Sequence, residues 1–188
     1  LLNVMQIYKC NRIVFSSSAT VYKPVQNRSI NEESELGPIN PYGKTKLAVE
    51  TMLGDLMKDK SQNWKIINLR YFNPVGAHIS GLIGENPKGV PDNLFPILLK
   101  VASGESQNLF IYGKDWPTYD GTCIRDYIHV EDLADAHKSA LDYLNGKDSQ
   151  YLNLNIGTGN GTSVLELVKT FINVNRCKLN YKFGERRL

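Results

Sequence analysis

Cysteine is scarce and poorly placed for covalent or metal chemistry. Cys10, Cys123 and Cys177 are widely separated and include no Cys-x-x-Cys pair, so neither a disulfide framework nor a zinc site is indicated. His78, His129 and His137 also lack metal-ligand spacing, and no metal is expected. No apolar run approaches the ~20 residues of a membrane span, and no basic-then-apolar segment opens the chain. Lys and Arg are scattered among Asp and Glu for a net charge of +3, and only Arg186 and Arg187 sit side by side near an end. That pattern argues against a polybasic nucleic-acid or membrane surface. Repeats and low-complexity segments are missing too. These absences predict a reduced, cytosolic protein.

What is present is ordinary globular material, 41% hydrophobic and 22% charged over 188 residues. That suffices for one sizeable domain, or one and a piece of a second. Both ends read as cut. The chain opens on Leu1, and Leu1, Val4, Met5 and Tyr8 already follow helical spacing without a preceding cap. It stops at Leu188, directly after the strand-like "KLNYKF". The expectation is the interior of a longer protein.

"RIVF", at 12–15, is fit for a strand buried on both faces. A polar loop over 23–39 follows, and then Asn40-Pro41, an N-cap with proline at the first helical position. Val49, Met52, Leu53 and Leu56 continue that helix as one apolar stripe to about residue 58. "WKIINLRYF", 64–72, is the next strand, which completes a parallel βαβ unit. The glycine- and proline-rich stretch "NPVGAHISGLIGENPKGVPDN" is a long loop, of the kind that marks a function or a domain crossing. Beyond it the pattern predicts a helix at 94–102, a strand in "NLFIYG", a loop at 114–122 and a strand in "IRDYIHV". A helix at 132–144, a strand in "YLNLNI" and a last helix at 163–174 complete the reading.

Two motifs compete as the site of chemistry. "GTGNGTS" follows a strand and precedes a helix, as a dinucleotide-binding turn does. Its glycines at 157, 159 and 161 miss the third position of G-x-G-x-x-G, where Thr162 stands, and no acidic residue follows at the ribose-binding distance. A tight loop with Thr162 or Ser163 as N-cap explains it better.

Tyr42 and Lys46 make the stronger signal. At i and i+4 they share one helix face. A free phenol, with a pKa near ~10, is a poor base at neutral pH; a neighbouring ammonium and an oxidised nicotinamide ring would favour its ionised form. Y-x-x-x-K alone usually marks solvated helix surface, and "SSS" at 16–18 alone is equally well a polar loop start. Together, with the serines at the carboxyl end of a parallel strand, they point to a site that moves a proton and a hydride.

The stretches "FSSSATVY", "NPYGKTK", "LRYFNPVGAH", "SGLIGE", "GTCIRDYIHVEDLADAH" and "LNIGTGNGTSV" resemble the UDP-glucose 4-epimerase family of the extended short-chain dehydrogenase/reductases, over essentially the whole chain. The resemblance implies a partial doubly wound α/β fold with a Rossmann-like parallel sheet and a smaller mixed α/β substrate domain. Residues 1–73 and 131–160 would belong to the NAD-binding domain, and 74–130 and 161–188 to the UDP-sugar domain. It implies an isomerase of galactose metabolism that interconverts UDP-galactose and UDP-glucose through a 4-keto sugar, with NAD as cofactor. Tyr42 would be the base, Lys46 would bind the nicotinamide ribose and tune Tyr42, and Ser18 would hydrogen-bond the reacting oxygen. Phe72 would lie near the nicotinamide and Asn73 near the sugar nucleotide. Arg125 and Arg186 would clamp the diphosphate, with Asn93 and Leu94 beside the nucleotide and Phe110, Ile111 and Tyr112 along the uracil. A homodimer is implied for the whole protein.

Departures from the family pattern are Lys23, where glycine is usual, Ile79, where proline is usual, and Leu188 after Arg187. The glycine-rich NAD-binding turn would precede Leu1, so these 188 residues alone are expected to be inactive. Two rivals remain. A related epimerase or a nucleotide-sugar 4,6-dehydratase shares the first step, although a dehydratase needs carboxylates where "SATVY" stands. A non-catalytic scaffold of the same family often loses the Tyr/Lys pair, which this chain keeps.

Overall fold

The computed structural model describes residues 1–25 and 28–186. In chain order the elements are α1 (Leu2–Ile7), β1 (Arg12–Ser16), α2 (Pro41–Leu56), β2 (Lys65–Tyr71), β3 (Asn73–Val75), α3 (Leu94–Ala102) and β4 (Leu109–Tyr112). They continue with β5 (Ile124–His129), α4 (Val130–Leu144), β6 (Gln150–Ile156), β7 (Gly161–Ser163), α5 (Val164–Asn175) and β8 (Tyr181–Gly184). Two compact units result: Leu1–Pro74 with Glu131–Gly157, and Val75–Val130 with Thr158–Leu188.

The first unit holds a parallel sheet ordered β1-β2-β6, with Ser16 opposite Leu69 and Tyr71 opposite Ile156. Successive side chains in a strand face opposite ways, and the two faces meet different helices. Ile67, Leu69, Leu152 and Val14 pack with Ala140 and Leu144 of α4. Ile66, Ile13, Phe15 and Tyr151 pack with Leu53, Val49 and Leu56 of α2 and with Leu2 and Met5 of α1. Helices on both faces of a parallel sheet are the doubly wound α/β arrangement. α2 begins as its sequence dictates: the Asn40 side chain accepts from Gly43 N at 2.7 Å, and Pro41 occupies the first turn.

The α2 face of the sheet changes character along its length. Its amino-terminal half is apolar, whereas its carboxyl half carries Asn68, Arg70, Asn153 and Asn155. Asn68 donates to Asn153 at 2.8 Å. Arg70 Nε and Nη2 grip both oxygens of Glu50 on α2, and Ser17 Oγ donates to that same carboxylate. Arg70 Nη1 donates to Tyr22 Oη at 3.0 Å, and Tyr22 passes the chain on to Asn155 at 2.7 Å. The Arg70 and Glu50 side chains are 2% and 3% exposed. Burial opposes the guanidinium's charge, but its bonds to Glu50 and Tyr22 outweigh that and raise its pKa above the ordinary arginine value.

The second unit is built around Leu98 and Val101 of α3, Leu109 and Ile111 of β4, and Leu165 and Val168 of α5. β4 pairs in parallel with β8, and a second three-stranded sheet runs β3-β5-β7. α5 is capped by Ser163, whose Oγ accepts from Glu166 N at 3.0 Å. α4 starts two residues before the expected 132, because β5 runs into it without a loop and Glu131 and Asp132 suit a first helical turn. The three-residue strands β3 and β7 lie in stretches read from sequence as loop.

Lys23 does not adopt a positive φ, so the usual glycine's absence imposes no backbone strain, and Lys23 pairs with Glu35 at 3.1 Å. Ile79 is 92% exposed, so its replacement of proline disturbs no core. The departure at Leu188, after Arg187, lies outside the described residues. Among the described residues no helix is long and apolar enough to cross a membrane, and no cluster of metal-ligating side chains occurs.

Candidate active site

The carboxyl end of β1 and the start of α2 carry Ser18, Tyr42 and Lys46. After Ser16 the chain turns into a 3-10 segment, Ala19–Val21, capped by Ser18. Ser18 Oγ accepts from Thr20 N at 3.2 Å and from Thr20 Oγ1 at 2.9 Å. Both contacts use the oxygen as acceptor, which leaves its own O–H to donate elsewhere. Thr20 was not singled out in the sequence, although Ser-x-Thr after a strand is a recognisable capping pattern.

Gly43 is what allows this turn and α2 to approach. A Cβ at Gly43 would stand 2.4 Å from Thr20 O and 2.8 Å from Pro38 Cβ. Alanine is the better helix former by ~1 kcal/mol, yet Gly43→Ala is expected to destabilise the protein and to reduce turnover, because the helix start must move off the turn bearing Ser18. Thermal unfolding and a steady-state assay on one preparation check both; a stabilised, fully active variant would refute the packing argument.

Lys46 Nζ donates to Ser16 O at 2.8 Å. It stands 5.4 Å from the Tyr42 ring centroid and 5.2 Å from that of Phe15. The ammonium therefore lies between the strand end and the tyrosine, which is 50% exposed and open to a ligand. The Tyr71 phenol, on the last residue of β2, lies within electrostatic reach of the Tyr42 oxygen. Burial pushes the Tyr71 phenol up, and the neighbouring Tyr42 oxygen adds to the shift. On the α4 face, His137 Nε2 lies 2.7 Å from Ser16 Oγ and Nδ1 lies 2.9 Å from Leu133 O. A proton on Nδ1 satisfies both contacts, with Ser16 donating to Nε2. Sequence reasoning missed Tyr71 and His137. Phe72 is half-buried with its N–H bonded to Ile156 O at 3.0 Å, and Asn73 is exposed.

The remaining expected residues lie in the second unit. Asn93 precedes α3 and donates its side-chain amide to Glu85 at 2.9 Å, and Leu94 opens that helix. In β4, Phe110 and Tyr112 are exposed while Ile111 is buried. Arg125 and Asp126 have different partners, since neighbours in a strand face opposite ways. Arg125 is exposed and donates to Ile124 O at 2.8 Å. The Asp126 carboxylate accepts from Thr158 N at 2.9 Å, Thr158 Oγ1 at 2.7 Å and Gly159 N at 2.8 Å. Those amides of "GTGNG" are thus already bound to a carboxylate, which disqualifies the loop as a phosphate cradle. Arg186, by contrast, is held by Asp115 and Trp116.

The donor set of the first unit suits the nicotinamide end of a dinucleotide: a hydroxyl, a phenol and an ammonium gathered at the carboxyl end of parallel strands. Comparisons with known proteins agree. Residues 1–157 match the model of the NAD dependent epimerase/dehydratase family. The chain is 49% identical over 188 residues to UDP-glucose 4-epimerase of Bacillus subtilis (strain 168), covering 100% of this chain and 55% of the relative. It is 52% identical over 190 residues to UDP-glucose 4-epimerase 1 of Oryza sativa subsp. japonica, covering 100% and 53%. Among solved structures, the Stenotrophomonas maltophila UDP-glucose-4-epimerase with bound NAD and formylated UDP-arabinopyranose superposes with a TM-score of 0.94 at 45% identity, covering 100% of this chain and 55% of that one. The Bifidobacterium longum enzyme in complex with NAD+ and UDP gives 0.91 at 46%, with the same coverage. The chain spans about half the length of the relatives it matches. With its parallel sheet, its Tyr-x-x-x-Lys helix and a match across most of its length, this chain belongs to the NAD dependent epimerase/dehydratase family.

Proposed function

We propose that the whole protein is an NAD-dependent isomerase that interconverts UDP-galactose and UDP-glucose at sugar C4. The observation that carries this reading is the placement of the Lys46 ammonium between the Ser16 carbonyl and the Tyr42 ring, in a chain about half identical to UDP-glucose 4-epimerases. Bound NAD would supply a reversible acceptor for the C4 hydride. Tyr42 removes the proton of the 4-hydroxyl, and Lys46 stabilises the tyrosine oxygen's negative charge and holds the nicotinamide ribose. Ser18 donates its O–H to the reacting oxygen, and Phe72 lines the nicotinamide side. Asn73, Asn93, Leu94 and the β4 residues Phe110, Ile111 and Tyr112 bind the nucleotide sugar, and Arg125 and Arg186 meet its diphosphate. Residues 1–73 with 131–160 serve the cofactor, and 74–130 with 161–188 the UDP-sugar. A homodimer located in the cytoplasm, with no nucleic-acid partner, completes the proposal.

The test is to incubate the whole protein, NAD-loaded, with UDP-galactose and to measure UDP-glucose by a coupled dehydrogenase. Net conversion without net cofactor reduction is expected. A 4-keto-6-deoxy product would instead assign a dehydratase, and no turnover by folded, NAD-loaded protein would assign the scaffold reading.

A further inference from the structure

The turn that carries Ser18 is bolted on both sides to one buried ion pair. Upstream of it, Ser17 Oγ donates to the Glu50 carboxylate. Downstream, Tyr22 Oη accepts from Arg70 Nη1 at 3.0 Å, and the guanidinium carbon stands 5.0 Å from the Tyr22 ring centroid. Between those anchors Arg70 meets Glu50 through two bonds, from Nε at 3.0 Å and from Nη2 at 2.6 Å. A bidentate pair of this kind fixes orientation as well as distance. Ser17 is fully buried, and Tyr22, Glu50 and Arg70 are at most 3% exposed.

One stripe of α2 supplies the holds. Gly43, Lys46 and Glu50 follow one another at three- and four-residue spacing, which puts them on the same helix face. Gly43 leaves room for Thr20 O, Lys46 donates to Ser16 O, and Glu50 takes the Ser17 hydroxyl. Successive turns of the helix thus touch residues 16, 17 and 20, on either side of Ser18. Ser18 itself is 6% exposed, and Thr20 N and Oγ1 both donate to its oxygen. Its hydroxyl has little freedom of its own and goes where the backbone of the turn carries it.

Against an apolar pair of the same volume, a buried ion pair gains little stability, because desolvation offsets the attraction. What this one does supply is a rigid fork joined to two residues of the turn. Placement matters there, since a displacement of ~1 Å at a reacting group can cost about a hundredfold in rate. We infer that Ser17 and Tyr22 are positioning residues, which use the Glu50–Arg70 pair to set the turn and so aim the Ser18 hydroxyl at the reacting oxygen of the sugar. This rests on the reading that Ser18 donates to that oxygen.

The test measures kcat and UDP affinity for the whole NAD-loaded protein, for its S18A, S17A and Y22F variants, and for the S17A/S18A and Y22F/S18A pairs. S17A and Y22F both leave the two Arg70–Glu50 bonds in place, and thermal unfolding is the folding control. If one of them fails that control, the other carries the comparison. S18A should lower kcat by about 10- to 100-fold, the range for a hydrogen bond to a charged group. S17A and Y22F should each lower it by about 3- to 10-fold, the scale of one neutral hydrogen bond. In the S18A background the same substitutions should change kcat by less than about twofold, because a residue that works through Ser18 has nothing left to aim. UDP lacks the sugar and its 4-hydroxyl, so its affinity should stay within about twofold of wild type throughout. If S18A leaves kcat unchanged, the reading of Ser18 itself fails. If S18A is slow while S17A and Y22F run at the wild-type rate, the positioning inference fails. The same loss with and without Ser18 would also overturn it, as would a loss of UDP affinity equal to the loss in kcat, since the cause would then lie elsewhere in the site.

Discussion

Tyr42→Phe in the whole protein is expected to slow epimerisation by about a hundredfold to ten-thousandfold, the range for loss of a positioned acid–base group. The substitution removes one oxygen from a residue that is 50% exposed, so the fold should hardly notice. The Lys46 ammonium keeps its bond to Ser16 O and its place above the ring, so NAD and UDP should bind nearly as before. What disappears is the atom that takes the proton. Because the Tyr71 phenol lies within electrostatic reach of that same oxygen, its hydroxyl is left near the site and is the natural source of residual activity. The double variant Tyr42→Phe/Tyr71→Phe should therefore be slower still. Rates for the single and double variants, with UDP binding as a control, decide the matter; an epimerase undiminished by Tyr42→Phe would remove the catalytic assignment.

Glu50→Ala is expected to be the most damaging single change to stability, at about 3–5 kcal/mol. It leaves the Arg70 guanidinium 2% exposed and without its carboxylate, and a buried charge stripped of its partner keeps the full desolvation penalty. Ser17 Oγ, the third member of the arrangement, loses its acceptor at the same time. A double-mutant cycle tests the cause. If unpaired charge is what hurts, Glu50→Leu combined with Arg70→Met should recover much of the loss, because an apolar pair of similar volume avoids the desolvation cost. Urea unfolding of the whole protein should show the double variant more stable than Glu50→Ala. Strict additivity of the two substitutions would show that the pair is not coupled. Since Ser17 lies next to Ser18, activity should also suffer in the single variant under conditions where it stays folded.

Sequence reasoning reached the parts governed by local rules. Asn40-Pro41 as a helix start, the limits of α3 and an N-cap at Thr162 or Ser163, of which the structure uses Ser163, all depend on a few adjacent residues. The parallel pairing of β1 with β2 followed from strand, helix and strand at a length that only a crossover allows. Glu50 and Arg70 were passed over because a glutamate four residues after Lys46 reads as solvated helix surface. The signal was available in β2, where period-2 alternation puts Arg70 on the same face as Ile66 and Asn68; a charge on a covered face must have a partner. Asp115 and Arg186 are 71 residues apart, and no local pattern announces such a pair. β3 and β7 are three residues each, too short for alternation to register.

One further consequence concerns the mooring of Lys46. Its ammonium is tied to a peptide carbonyl of residue 16, an atom every amino acid supplies, so mutation at that position cannot delete the acceptor. The serine side chain there serves a different neighbour, His137. Evolution can thus rework the contact with α4 without casting the amine loose, and the two duties of one residue are free to drift apart.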